Sequence, residues 1–276
     1  MPSPALLQSL GYSIWTLLLA LALGSFAVVV AGRLVTDATK GYLRFTALCS
    51  ALFGALTLLV DVNLSDPGAL SIAAAPGLDL PRRVALVAFI VLAFGYAIVV
   101  GRGGRSPWVG LGGVGAGLGV ASLAAFGWAG GLDPGVPLLI QYLILAAVTG
   151  GAFAALILGH WYLVTPRLSE RPLVLAATAL TVAVGIQLLL FLTWSVMGVG
   201  PGEGPFPALV GGAALLVWLR LLVGIVFPLV LSWMAMKTAR TRSMESATGL
   251  LYIGVTAILA GTIVASALFY GNGILV

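Results

Sequence analysis

Apolar runs of about twenty residues, separated by short stretches where Arg, Lys, Asp, Pro and Gly gather, recur along the whole chain. A hydrocarbon layer of about 30 Å is crossed by roughly 20 residues of helix at about 1.5 Å each. The pattern therefore predicts spans at Tyr12–Gly32, Arg44–Val62, Arg83–Val100, Pro107–Ala129, Val136–Trp161, Pro172–Met197, Pro207–Met236 and Ser246–Tyr270. Within each run the apolar residues are continuous and do not alternate with polar ones, which selects helices over the strands of a barrel. The expected fold is an all-α integral membrane protein, a bundle of about eight transmembrane helices forming one polytopic domain over residues 1–276. The seventh run has length to spare for a tilt or a kink at Pro228. The longest connection, 63–82, is expected to be an outer loop of re-entrant or interfacial character. Its Asn63-Leu64-Ser65 is formally a glycosylation sequon, a weak three-residue match.

Composition agrees with this pattern. Of 276 residues 61% are hydrophobic and 8% charged, where a soluble domain carries roughly 25% charged residues. Mean hydropathy is +1.16, which also excludes disorder, since that needs low hydrophobicity and high charge. Met1–Leu10 contains no Lys or Arg, so it lacks the basic start of a cleaved secretory signal, and the first run is expected to stay as a span. Cys49, the single cysteine, lies inside a run, so no disulfide framework or thiolate metal cage can form within the chain.

The net charge of +5 reports topology. Ten basic residues, Arg33, Lys40, Arg44, Arg102, Arg105, Arg167, Arg171, Lys237, Arg240 and Arg242, fall in alternate connections. Only Arg82 and Arg83 fall on the opposite side, together with Asp61, Asp66, Asp79, Asp133 and Glu203. Lys and Arg in short loops are retained on the cytoplasmic face, so both termini are expected on the non-cytoplasmic side, in a bacterial inner membrane. The basic residues are scattered and have no soluble scaffold, which excludes a nucleic-acid partner. The expected partners are the lipid bilayer and a membrane protein or a second copy of the chain. Asp61, at the end of the second run, is expected to be a solvated boundary carboxylate.

Three features carry candidate chemistry. Arg220 in Trp218-Leu219-Arg220-Leu221-Leu222 lies thirteen residues past Pro207, about 20 Å deep at 1.5 Å per residue. A charge near the midplane costs at least about 2.5–3.5 kcal/mol and must face protein, water or an anion. Gly224 and Pro228 follow on the same helix face, and Pro228 removes the donor that would have bonded the Gly224 carbonyl. A freed carbonyl and a cation then share one side of the helix. Gln187 reaches a comparable depth from Pro172, so the sixth and seventh helices are expected to share a polar centre, whether an anion or ion path or interhelical glue. Gln141 is the other large polar residue inside a span.

His160, the only histidine, stands in Gly159-His160-Trp161-Tyr162. One histidine cannot hold a haem from both sides or build a zinc site. A His–Met haem with Met197, Met234 or Met236 has little behind it, because methionines in membrane helices are ordinarily packing. Two readings stay open for His160, Trp161 and Tyr162: contact with a quinone or lipid head group, or an interfacial anchor. No cofactor is identified by these residues.

The run Gly110-Leu111-Gly112-Gly113-Val114-Gly115 has the spacing of a dinucleotide fingerprint without the strand that motif requires. With Gly117 and Gly119 it gives the fourth span a small-residue face, as Gly150, Gly151 and Ala154 do for the fifth. No GxSxG, HExxH or Walker sequence occurs, and no span holds a carboxylate pair, which argues against an enzyme. A non-catalytic membrane subunit or assembly factor, beside a quinone or other lipid-soluble cofactor, is the first expectation. A transporter or channel for a small solute or ion centred on Arg220 and Gln187 is the alternative, and an intramembrane lipid enzyme using His160 and Tyr162 is the weakest reading.

Overall fold

The computed structural model describes residues 4–68, 70–104, 107–165, 168–197 and 207–276. Arg105, Arg167 and Glu203, which entered the charge asymmetry, lie outside the described residues. The elements are α1 (Pro4–Val35), α2 (Lys40–Asp61), α3 (Pro76–Gly101), α4 (Pro107–Trp128), α5 (Leu132–Val164), α6 (Arg171–Val196), α7 (Pro207–Val210), α8 (Ala214–Leu221), a π-helical turn (Leu222–Val226), α9 (Phe227–Arg240) and α10 (Met244–Asn272). No strand occurs among the described residues. Among the described residues eight helical stretches are long and apolar enough to cross a membrane, with α8, the π turn and α9 forming one of them, Ala214–Arg240. The chain is thus an all-α multi-pass bundle.

Several helices start before the apolar run does, because capping outweighs local polarity. Thr39 caps α2, its Oγ1 accepting from the Tyr42 N–H at 3.5 Å. Pro76 opens α3 and Asp79 sits in its first turn, both favoured at a helix N-terminus. Pro76–Arg82 are therefore helical, and the connection expected over 63–82 narrows to residues 62–75. That connection lies across the bundle end. Its Ser71 N–H donates to the Tyr270 carbonyl and its Ala73 N–H to the Trp128 carbonyl, each at 2.8 Å.

The seventh span departs from its expected form. The helix beginning at Pro207 stops after Val210, and a continuous helix starts again only at Ala214. Depth counted from Pro207 is therefore the wrong measure for Arg220. In place of a simple kink, the helix widens just before Pro228, and the Phe227 N–H reaches back to the Leu222 carbonyl. Proline has no N–H and its ring crowds the carbonyl four residues earlier, and the wider π turn relieves that crowding.

Small residues set the packing. α1 lies against α2, α4, α5 and α10. Where α1 crosses α5, Gly24 and Gly150 bring the two backbones into direct contact, and a Cβ on either would overlap the other helix. On α4, Gly110, Gly113 and Gly117 receive Tyr96, Phe26 and Leu23. The bundle has two ends. The terminal face carries the start of α1 and the end of α10, and the loop face carries Lys40, Arg171, Lys237 and Arg240.

Candidate functional site

Among the described residues, the most densely bonded polar cluster lies at the terminal face. Asp61, expected to be solvated, is fully buried. Its Oδ2 accepts from Trp15 Nε1 at 2.9 Å and from Arg82 Nε at 2.7 Å, and its Oδ1 from Arg82 Nη2 at 3.2 Å and Arg83 Nε at 2.9 Å. Four donors saturate the roughly four lone-pair sites of a carboxylate. Arg82 Nη2 also meets Asp79 at 3.0 Å, and its guanidinium lies 4.8 Å from the Trp128 ring centre. Two aspartates and two arginines leave the cluster neutral. Asp61 is buried although it is the last residue of α2, because the ends of α1, α3 and α4 stand around it.

Aromatic rings enclose this cluster from within the bundle. Tyr12 and Trp15 each meet Trp128 edge-on, with centroids 5.2 and 4.6 Å apart, and Tyr270 lies 5.2 Å from Tyr12. The Tyr270 hydroxyl shares hydrogen bonds of 2.7 Å with both Thr16 and Tyr142. A polar cavity of about 90 Å³ adjoins Asp61, bounded by Tyr12, Asp79, Arg82, Arg83 and residues 73–76. It has room for a few water molecules.

A second cavity is much larger and apolar. About 460 Å³ opens among α1, α4, α5 and α6, within the usual range of roughly 300–1,000 Å³ for small-ligand sites. Its lining runs from Leu23 to Val35 on α1, about 18 Å, and from Pro172 to Ala183 on α6. The space exists because Ala27, Ala31, Ala146, Ala147, Gly151, Ala176 and Ala179 are small. Its hydroxyls are already engaged, Thr36 on the Gly32 carbonyl and Tyr42 on the Ala154 carbonyl. The groove therefore selects by shape and apolarity. It ends at the loop face beside Pro172 and Ala38, next in sequence to exposed Arg171 and two residues from exposed Lys40.

The third place is Arg220, 1% exposed. Its Nη1 donates to the Gly224 carbonyl at 3.3 Å, and Pro228 has left that acceptor without its usual donor. Gly224 also touches α10, where a Cβ would stand 2.7 Å from the Gly261 Cα. Counted along the helix, Gly224 is ten residues from Ala214 and Gly261 eleven from Asn272, about 15 and 16 Å from the terminal-face ends. Gln187 is buried at a similar height on α6, nine residues or about 14 Å from Val196. No hydrogen bond joins it to Arg220. Among the described residues, Arg220 Nε and Nη2 and both amide atoms of Gln187 lack a partner.

His160, Trp161 and Tyr162 do not converge. Consecutive helical residues point about 100° apart, and each takes a different neighbour. Exposed His160 meets the Tyr252 hydroxyl of α10 at 3.4 Å, Trp161 lies against Gly41 of α2, and buried Tyr162 donates to the Ser169 carbonyl.

Trp15, Asp61, Arg82, Arg83, Tyr142 and Tyr270 were not singled out by sequence as site residues. The available signal was that Arg82 and Arg83 are the two cations on the minority side of the charge asymmetry, where an acid beside them is the natural partner. No protein-family model matches the chain, and no curated protein or solved structure matches it.

Proposed function

We propose that this chain is a non-catalytic membrane subunit that holds a lipid-soluble ligand, a quinone or another molecule with a long apolar tail, in the groove among α1, α4, α5 and α6. The groove carries this reading. It is long, nearly free of unsatisfied polar groups and placed in the hydrocarbon-spanning part of the bundle, so it suits a tail and leaves the head group at the basic loop face. Association with another membrane protein or a second copy is supported by α4. Gly115 and Gly119 lie on a second glycine face, with open space where each Cβ would stand. The charge asymmetry supports a cytoplasmic loop face and a bacterial inner membrane.

Gly151 tests the groove. It lines the cavity, and a Cβ there meets nothing within 4 Å. Gly151→Leu should fill the groove without moving a helix and lower retained ligand about tenfold, equivalent to about 1.4 kcal/mol. Mass analysis of gently purified wild type and variant reads this directly. Wild type with no retained hydrophobic molecule, or equal retention by Gly151→Leu, would sink the proposal.

A second reading, passage of a small solute or ion through the polar centre, is favoured by the unpartnered edge of Arg220. In that case Arg220→Gln abolishes flux in reconstituted vesicles while the protein stays inserted. Normal flux in the variant removes Arg220 from any path.

A further inference from the structure

We propose that Arg220 is the seat of a small planar oxyanion, a carboxylate-type monoanion held side-on by Nε and Nη2. A guanidinium presents Nε and Nη2 along one edge, spaced to meet two oxygens of one planar group. The same protein shows what that edge does when a partner is present. Arg82 holds the two Asp61 oxygens with its Nε and Nη2, at 2.7 and 3.2 Å. In Arg220 the corresponding atoms are buried and unpartnered, while Nη1 is anchored on the Gly224 carbonyl.

The chain offers no carboxylate in exchange. Among the described residues Arg220 takes part in no ion pair. A cation in an apolar surrounding without a counter-charge is costly, and a bound anion removes that cost. The backbone has been shaped around this side chain: Gly224 and Gly261 each leave out a Cβ that would stand 3.0 Å from Nη1, and the π turn begins two residues after Arg220. On α6, Gln187 is another buried group whose donor and acceptor are both unpartnered among the described residues. A spherical halide satisfies one point of the edge, whereas formate, bicarbonate or nitrate satisfies both, so the preference is for planar oxyanions. The site shares Arg220 with the transport reading but requires binding alone.

The test uses the purified full chain in lipid nanodiscs, titrated with sodium formate or sodium nitrate in place of sodium chloride at constant ionic strength. The expected result is a saturable rise in the thermal midpoint of about 3 °C over chloride. Arg220→Gln should abolish the rise. Arg220→Lys keeps the charge and lacks the planar edge, and should lose the preference for formate over chloride. Equal wild-type midpoints in formate and chloride overturn the proposal, as does a formate preference undiminished in Arg220→Lys. A formate-specific rise in a chain that shows no flux supports the site while removing the transport reading.

Discussion

Asp61→Asn is expected to destabilise the bundle by about 3–5 kcal/mol, the usual cost of removing one partner from a buried ion pair. Asparagine keeps the size of the side chain but replaces one acceptor oxygen with a donor NH2 that faces arginines. Arg82, 3% exposed at its side chain, keeps Asp79 as its only carboxylate, and the four bonds that two charged oxygens accepted from Trp15, Arg82 and Arg83 must compete for one neutral amide oxygen. The change also loosens three helices at once, because Asp61 ends α2 while its donors come from α1 and α3. Unfolding midpoints in mixed detergent micelles measure the effect. Asp79→Asn is the control: its carboxylate is 40% exposed, and surface pairs of that kind contribute roughly 0–1 kcal/mol. Equal midpoints for Asp61→Asn and wild type would show that the saturated carboxylate adds nothing to stability.

Gly150→Ala and Gly151→Ala should shift stability in opposite directions, although the residues are adjacent on one helix. A Cβ at Gly150 overlaps the backbone of Gly24 and Ser25, and backbone cannot turn aside as a side chain does. Forcing α1 away from α5 costs about 1–3 kcal/mol or more by overpacking, and it strains the Ser25–Ser50 hydroxyl contact of 2.7 Å beside the crossing. Gly151 faces the groove, where a methyl meets nothing, so alanine should stabilise by up to about 1 kcal/mol through its better helix propensity. The same unfolding measurement on both variants decides the matter, and a loss of stability in each would mean that Gly151 does not face open space.

The fold was legible because hydrocarbon imposes a length on every span and short connections force neighbours to run antiparallel. Arg220 was legible for a related reason, as one charge inside an apolar run. Asp61 was misjudged because its surroundings are remote in sequence: Trp15 is 46 residues away and Arg82 is 21. Position at the end of a run reveals the distance to the membrane boundary but not which other helix ends stand beside it. For His160, Trp161 and Tyr162, adjacency in sequence means dispersal around the helix, so each meets a different neighbour. The groove was hidden because it consists of side chains that are missing, spread as alanines and glycines over three helices. Their absence becomes a cavity only when the helices are assembled.

The bond between Thr16 and Tyr270 joins residues 254 positions apart, and this separation becomes a delay during synthesis. At about 5–20 residues per second, Thr16 enters the membrane about 13–50 seconds before its partner is made. Ser13 and Ser25 on the same helix are provided for at once, each donating to the carbonyl four residues back. Trp15 waits only for Asp61 at the end of the second span. Helix α1, made before the other seven spans, is therefore among the last of them to complete its contacts. Until the eighth span arrives, the remainder of the nascent bundle must keep that helix from drifting into lipid.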